Sequence, residues 1–583
     1  MMPNSHRAEP QLADPIHLEV FSNRIVGIIE EMGARLVRAA FSANIKERRD
    51  CSVALFDARG RLVAQAAHIP MHLGSLLGGV EATIAAHDPE DMRPGDAFVC
   101  NDAYLAGGTH LPDISVVTPI FQPGREADGP RFFAANLGHH ADVGGAVPGS
   151  ISPDAASIFE EGVRIPPTKL VTGGVIEEGV LNLIAHNTRE PQSRVLDLKG
   201  QIATNEVGVA QIRDLIDRMG AAEVDQAVAD LLAYTARRLR NKIAALPDGA
   251  YSFTNHMDND GVAGDKVPIC ATITVAGDHA RFDFTGTGPQ SRGGFNVMPS
   301  GVMATVAYTI KALLDPDLPP NSGLFDAIEL VVPKGTILNP NYPAAVGART
   351  TTCQKLAGAI FGAFAEILPD DKIMASSHDV LAAMVMSGPL SRDGGDGAYV
   401  YLETIGGGNG ARAAADGMDG AHAHITNSLN MPIEAVENEY PLLVEEYTLI
   451  PDSGGAGQYR GGMGIARSIR AIEPGTTFSA RADSFITAAA GASGGAEGSH
   501  CQVIRNEKSR TPEILDPKQR LLAIEPGETI RMETPGGGGF GSPENRDVGD
   551  LARDLADGKV SESAARRDYG PERTTAALAS AKP

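Results

Sequence analysis

Apolar residues recur at three- and four-residue steps over residues 16–44. Leu18, Phe21, Ile25, Ile28, Ile29, Met32 and Leu36 form one stripe there and predict a long amphipathic helix. Residues 51–64 predict a hairpin turning at Asp57-Ala58-Arg59-Gly60, and residues 74–88 a further helix. Residues 114–120 and 131–137, rich in β-branched and aromatic side chains, read as strands on either side of a turn-rich stretch. Paired as a hairpin, they set Ile114 opposite Leu137 and Asp113 opposite Gly138, and Pro119 then needs an edge or terminal position. Helical spacing returns over 189–245, through Ile212, Leu215, Ile216, Met219, Val224, Val228, Leu231 and Leu232, and ends at Pro247-Asp248-Gly249. Strands at 251–257, 267–275 and 279–285 follow, then a helix over 298–315. Residues 440–534 read as many short strands with glycine turns, and residues 545–569 as a small helical tail.

This pattern predicts an α+β, multidomain chain: mixed sheets with flanking helices, a β-rich C-terminal part and a helical tail. We divide it into a metal-binding α+β domain (1–245), a central α+β substrate domain (246–439), a β-rich module (440–544) and the tail (545–583). A length of 583 residues fits two to four domains.

Composition narrows the setting. No apolar run reaches 18 residues, so no transmembrane helix is expected, and residues 1–10 lack the apolar core of a secretory signal. Five scattered cysteines (Cys51, Cys100, Cys270, Cys353, Cys501) without metal-ligand spacing indicate reduced thiols and a cytoplasmic protein. Cys353 fits a small buried residue near a helix start better than a nucleophile. The net charge of −23 argues against nucleic acid or an anionic membrane as partner.

The chemistry concentrates in two neighbouring loops, 107–113 and 138–145. They carry His110, Asp113, His139 and His140, and the hairpin gathers these at one end. Imidazole with carboxylate suits zinc, manganese or iron(II), and three protein ligands with open positions is a catalytic arrangement. The same residues would also serve as hydrogen-bonding groups in glycine-rich loops. Adjacent residues of an extended chain point to opposite sides, so one of His139 and His140 ligates. His139 is favoured, with His140 facing the pocket or a supporting position, although the pattern leaves this open.

Several motifs fail. Gly536-Gly537-Gly538-Gly539-Phe540-Gly541 matches a dinucleotide fingerprint by letter but runs into Ser542-Pro543 rather than a helix. There is no phosphate-binding P-loop and no G-x-S-x-G elbow, and Asp258-Asn259-Asp260-Gly261 lacks the closing Glu of a calcium loop. His68 and His72 stand four apart, but Pro70 between them argues against a helical ligand pair.

Taken in order, several stretches resemble the hydantoinase B/oxoprolinase family. They are residues 44–50 (Asn-Ile-Lys-Glu-Arg-Arg-Asp), 69–75, 101–113, 138–145, 161–167, 403–408, 426–434 and 534–539. That family includes large subunits of ATP-dependent hydantoinases and lactamases, the C-terminal half of 5-oxoprolinase and the acetone carboxylase α-subunit. The resemblance implies a division of labour. A separate hydantoinase A-type subunit, or a fused N-terminal half, binds ATP and Mg and makes a phosphorylated intermediate. The subunit resembling this chain holds a divalent metal through His110, Asp113 and His139, and the two associate in a heterotetramer or larger complex. One departure is the run 483–491 after Arg481, where relatives often carry an aromatic, proline-containing stretch and this chain, which has no Trp, does not.

The remaining candidates follow from loop position. His140, His422 and Glu434 are assigned to proton transfer, and Asp102, Asp142, Asn427 and Asn430 to substrate binding. His422 and His424 share a face if their run is extended, whereas Glu434 also fits a solvated helix start, where the dipole favours Glu. Three functions remain: ATP-dependent opening of a cyclic amide (hydantoin, 5-oxoproline or another lactam), ATP-dependent carboxylation of a ketone, and a non-catalytic assembly subunit.

Overall fold

A computed structural model describes residues 14–66, 68–390 and 397–580. Residues 1–10, read above as lacking a signal, lie outside the described residues. The architecture is α+β, with four sheets among the described residues and a tail of three helices, Val548–Ala556, Glu562–Asp568 and Pro571–Ser580.

The first sheet positions the site. Its seven strands run in the order Leu62–Gln65, Cys51–Asp57, Phe132–His139, Asp113–Ile120, Ala97–Cys100, Thr168–Thr172, Val175–Ile176, every pair antiparallel. Both faces are covered, which is why its central strands read as unbroken apolar runs. Val53, Leu55 and Ala134 pack under helices Pro15–Ala39, Pro191–Met219 and Ala221–Ile243. Ala54, Phe56, Phe133 and Ala135 pack under His72–Ala86 and Pro299–Leu314. Burying a large aliphatic or aromatic side chain contributes roughly 1.5–3 kcal/mol, so this double-sided core holds the sheet stiff.

Two expectations need correction. The hairpin register is displaced by one residue: Asp113 pairs with His139 and Ile114 with Gly138. The 121–131 connection contains a helical turn, Glu126–Asp128, and composition does not fix the length of such a loop to a single residue. The long first helix stops at Ala39, and a four-residue helix, Ala43–Lys46, follows separately. The break is stabilised from afar, because Asp197 Oδ1 accepts the N–H groups of Phe41 (2.8 Å) and Ser42 (3.0 Å). Pro119 sits one residue from the end of its strand, as its missing N–H requires.

The second sheet, Ile328–Val331, His279–Asp283, Val267–Ala276, Gly249–Met257, packs its alternate buried residues Ile269, Ala271, Ile273 and Val275 against helices Pro299–Leu314 and Arg349–Phe364. The third sheet joins Gly397–Ile405 and Ala382–Leu390 to Thr476–Arg481 and Leu522–Ile524, so strands from both sides of residue 440 share it. The fourth is five-stranded and comes from residues 442–533.

Candidate metal centre

Three strand ends meet side by side. His139 closes Phe132–His139, Asp113 opens Asp113–Ile120, and Asp50 immediately precedes Cys51–Asp57 and accepts the His139 N–H at 3.0 Å. His110 reaches the same point from the glycine loop. There Gly107, at φ 59°, lies so close to Gly78 of helix His72–Ala86 that a Cβ on it would stand 2.6 Å from the Gly78 Cα. The side-chain ligand atoms of His110, Asp113 and His139 all lie within 4.8 Å of one another, and all three residues are buried.

The hydrogen bonds show what the cluster lacks. His110 Nδ1–H donates to the Gly347 carbonyl at 3.0 Å, so the neutral ring turns the lone pair of Nε2 inward. That nitrogen stands 3.1 Å from Asp113 Oδ1, and neither atom has a hydrogen-bond partner. Two buried lone pairs facing each other repel unless a cation lies between them. The other oxygen, Asp113 Oδ2, accepts from Arg349 Nη2 (2.5 Å) and Thr109 Oγ1 (3.0 Å), which fixes the carboxylate. The His139 ring is positioned by Asn44, whose Nδ2 lies 3.0 Å from Nδ1.

Charge states agree. Burial works to raise the Asp113 carboxyl, but the Arg349 guanidinium beside it holds it well below the usual carboxylate range. Burial, reinforced by the Arg349 charge, pushes the His110 imidazole down to about 4. Burial and the neighbouring His110 push His139 well below its ordinary value. An ionised carboxylate beside neutral imidazoles is the protonation state a divalent metal requires.

Further residues converge that sequence reasoning passed over. His72 Nε2 lies 3.5 Å from Asp50 Oδ1 and 3.7 Å from Asp113 Oδ1, because Pro70 precedes the helix that His72 begins rather than interrupting it. Asp50 ended a stretch singled out above, and its place one residue before a predicted strand was the available signal. The cluster opens on a cavity of about 50 Å³ that Asp50, His72, Arg349, Thr426 and Arg481 also line. Arg481 is buried, spends Nη1 on the Ile151 carbonyl and leaves Nη2 without a partner, and burial lowers it to about 9.

The other candidates are dispersed. His140 faces away from His139, with Nε2 3.1 Å from Gln201 Oε1 of helix Pro191–Met219. Asp102 pairs with Arg164 at 2.7 Å and Asp142 with Arg189 at 2.8 Å, each also accepting backbone N–H groups of its own loop. His422 lines an adjoining cavity of about 510 Å³ together with Asn427 and Thr426, and its Nε2 is buried without a partner. Thr426 borders both cavities. Asn430 donates to Glu403 Oε1 at 3.0 Å. Glu434 stands exposed in the first turn of helix Ile433–Glu439. Gly536 to Gly539 pack against backbone and hold no nucleotide loop: a Cβ at Gly537 would stand 2.2 Å from the Asn409 carbonyl oxygen.

Comparison with known proteins settles the lineage. Residues 14–543 match Hydantoinase B/oxoprolinase. The chain belongs to that family. This family member is 34% identical to 5-oxoprolinase 1 of Arabidopsis thaliana over 92% of its own length and 43% of the plant protein's, so it spans less than half of that relative. A Pseudomonas sp. protein named as a D-/L-hydantoinase subunit, of the B type, is 30% identical, with 96% of this chain and 95% of that one covered. Among solved structures, the ATP-dependent caprolactamase of Pseudomonas jessenii superposes with a TM-score of 0.87 at 28% identity, covering 96% of each chain. Acetone carboxylase superposes at 0.86 with 18% identity, over 97% of this chain and 83% of the other, a likeness of fold alone. No helix among the described residues is long and apolar enough to cross a membrane, and all five cysteines are unpaired.

Proposed function

We propose that the protein is the metal-bearing subunit of an ATP-dependent cyclic amide hydrolase, and that its ring-opening site is the His110–Asp113–His139 cluster. The observation that carries this is the facing pair of unpartnered atoms, His110 Nε2 and Asp113 Oδ1, 3.1 Å apart behind a cavity that His110 and His139 line. A divalent transition metal in that position would supply Lewis acidity toward a carbonyl oxygen and a source of nucleophilic hydroxide near neutral pH. His110, Asp113 and His139 would hold it, and the carboxylate of Asp50 lines the same cavity as a further oxygen donor.

The chain's own residues would do the rest. Arg349 holds Asp113 in one orientation, and the Gly347 carbonyl and Asn44 do the same for His110 and His139. The unpartnered Nη2 of Arg481 is a donor for a carbonyl whose oxygen gains negative charge during attack. Ile69, Met71 and Leu402 form apolar walls that exclude bulk water and strengthen those interactions. His422, behind Thr426, is positioned for proton transfer toward the adjoining cavity rather than at the metal itself.

An unstrained amide ring resists hydrolysis, and no phosphate-binding loop is present in this sequence. ATP is therefore used by a hydantoinase A-type partner, as the names of a B-type hydantoinase relative and an ATP-dependent caprolactamase suggest. The test is product analysis of the chain with its partner, ATP and a panel of hydantoins and lactams in labelled bicarbonate. Ring-opened acid without label, absent in Asp113→Ala, is the expected result. Label fixed into a stable acid would instead establish a carboxylase.

A further inference from the structure

A second cavity, which Asn44 also lines, holds a buried cation without a hydrogen-bond partner. Arg194, in the first turn of helix Pro191–Met219, is 1% exposed, and none of its guanidinium nitrogens has a hydrogen-bond partner. Its carboxylate neighbours stand off, Asp197 Oδ2 at 3.6 Å and Glu190 Oε2 at 3.9 Å. Asp197 cannot close the gap freely, because its Oδ1 is fixed by the N–H groups of Phe41 and Ser42. Its Oδ2 and the Ser42 hydroxyl are themselves buried without partners. Arg194, Ser42, Asn44, Glu190, Tyr399 and Tyr440 line a cavity of about 590 Å³.

Unmet buried donors and acceptors on one wall call for a guest that supplies both. The charge balance decides its type. Arg194 already faces Asp197 and Glu190, and at the rim the exposed Lys46 offsets the exposed Glu439. Burial lifts Glu190 to about 7 against the pull of Arg194, so near neutral pH it can accept or donate. An added anion would leave buried negative charge uncompensated, whereas a neutral carbonyl with an adjacent N–H matches the wall. Tyr399 and Tyr440, with ring centroids 5.9 Å apart, give that guest an apolar side.

We propose that this cavity is a second ligand site, for a small neutral carboxamide, lactam or ureide: its carbonyl accepts from Arg194, and its N–H donates to Ser42 Oγ. The site goes beyond the ring-opening reading and does not depend on it. A guest there contacts Asn44, the residue that orients His139.

Saturation-transfer NMR on the full chain tests the site with two probes, 2-pyrrolidone and sodium acetate. Saturable binding of 2-pyrrolidone and not of acetate is expected. Arg194→Met should weaken it by about tenfold or more, the loss of a hydrogen bond to a charged group. Ser193→Trp leaves Arg194 in place but fills the cavity that Ser193 lines, so it reads the site even if the methionine variant does not fold. It should remove the component of binding that depends on Arg194 while metal content stays unchanged. Binding that is the same in Ser193→Trp as in the wild type, binding of acetate in place of 2-pyrrolidone, or no saturable binding would each overturn the assignment. Ring-opening activity enters none of these readouts, so its failure would leave the test intact.

Discussion

At the scale of single residues, the cluster is held by partners that themselves never touch an ion. Asn44 fixes the His139 ring, so Asn44→Ala should lower metal affinity by about 10–100-fold, read by chelator competition. Arg349 is the cationic partner of Asp113, and breaking such a buried pair typically costs about 3–5 kcal/mol. Arg349→Met should show that loss in urea denaturation of the metal-free chain. Glu161 gives a pH signature. Burial raises its carboxyl to about 8 from 4.5, although it accepts the N–H groups of Val346 and Gly347. A raised folded-state value means that its stabilising contribution is complete below 4.5 and is lost as pH rises through 8. Wild-type stability should therefore fall over that window relative to Glu161→Gln, and parallel profiles for the two would refute the assignment.

At the scale of elements, what could be read in advance depended on sequence distance. The first helix, the 51–64 hairpin and the strands at 114–120 and 131–137 carry local periodicity, and each formed within a few residues of those bounds. His110, Asp113 and His139 were legible because one hairpin brings them together. Arg349 and Arg481 arrive from helix Arg349–Phe364 and strand Thr476–Arg481, and no local pattern announces such convergence. The one-residue register difference has the same origin, since loop length rather than strand composition sets pairing. The glycines of 536–539 were seen, but their reason was not. They let extended segments lie backbone to backbone, with Gly537 N–H bonded to the Gly462 carbonyl at 2.9 Å. Gly537→Ala should destabilise by about 2 kcal/mol or more, in the upper range for single substitutions, measured by denaturation. An unchanged midpoint would mean that the segments can part without cost.

At the scale of the molecule, sheets and ion pairs stitch distant parts of the chain into a frame around the cluster. Asp258, after strand Gly249–Met257, accepts the N–H groups of Phe485, Ile486 and Thr487. Asp483 in turn pairs with Lys518 at 2.7 Å and lies 3.5 Å from Lys355. Lys518→Met strips one buried partner from Asp483 and should cost about 3–5 kcal/mol. Because this junction neighbours Arg481, the variant should also raise KM more than it lowers metal content. Equal stability and KM would show the junction to be passive.

The central claim is a metal at His110, Asp113 and His139, and elemental analysis of the purified chain by plasma mass spectrometry tests it most directly. About one transition-metal ion per chain is expected, lost in His110→Ala and Asp113→Ala while the proteins stay folded, and retained in His140→Ala. A chain that carries no metal and takes up none of zinc, manganese or iron(II), or one whose metal survives both substitutions, would contradict it.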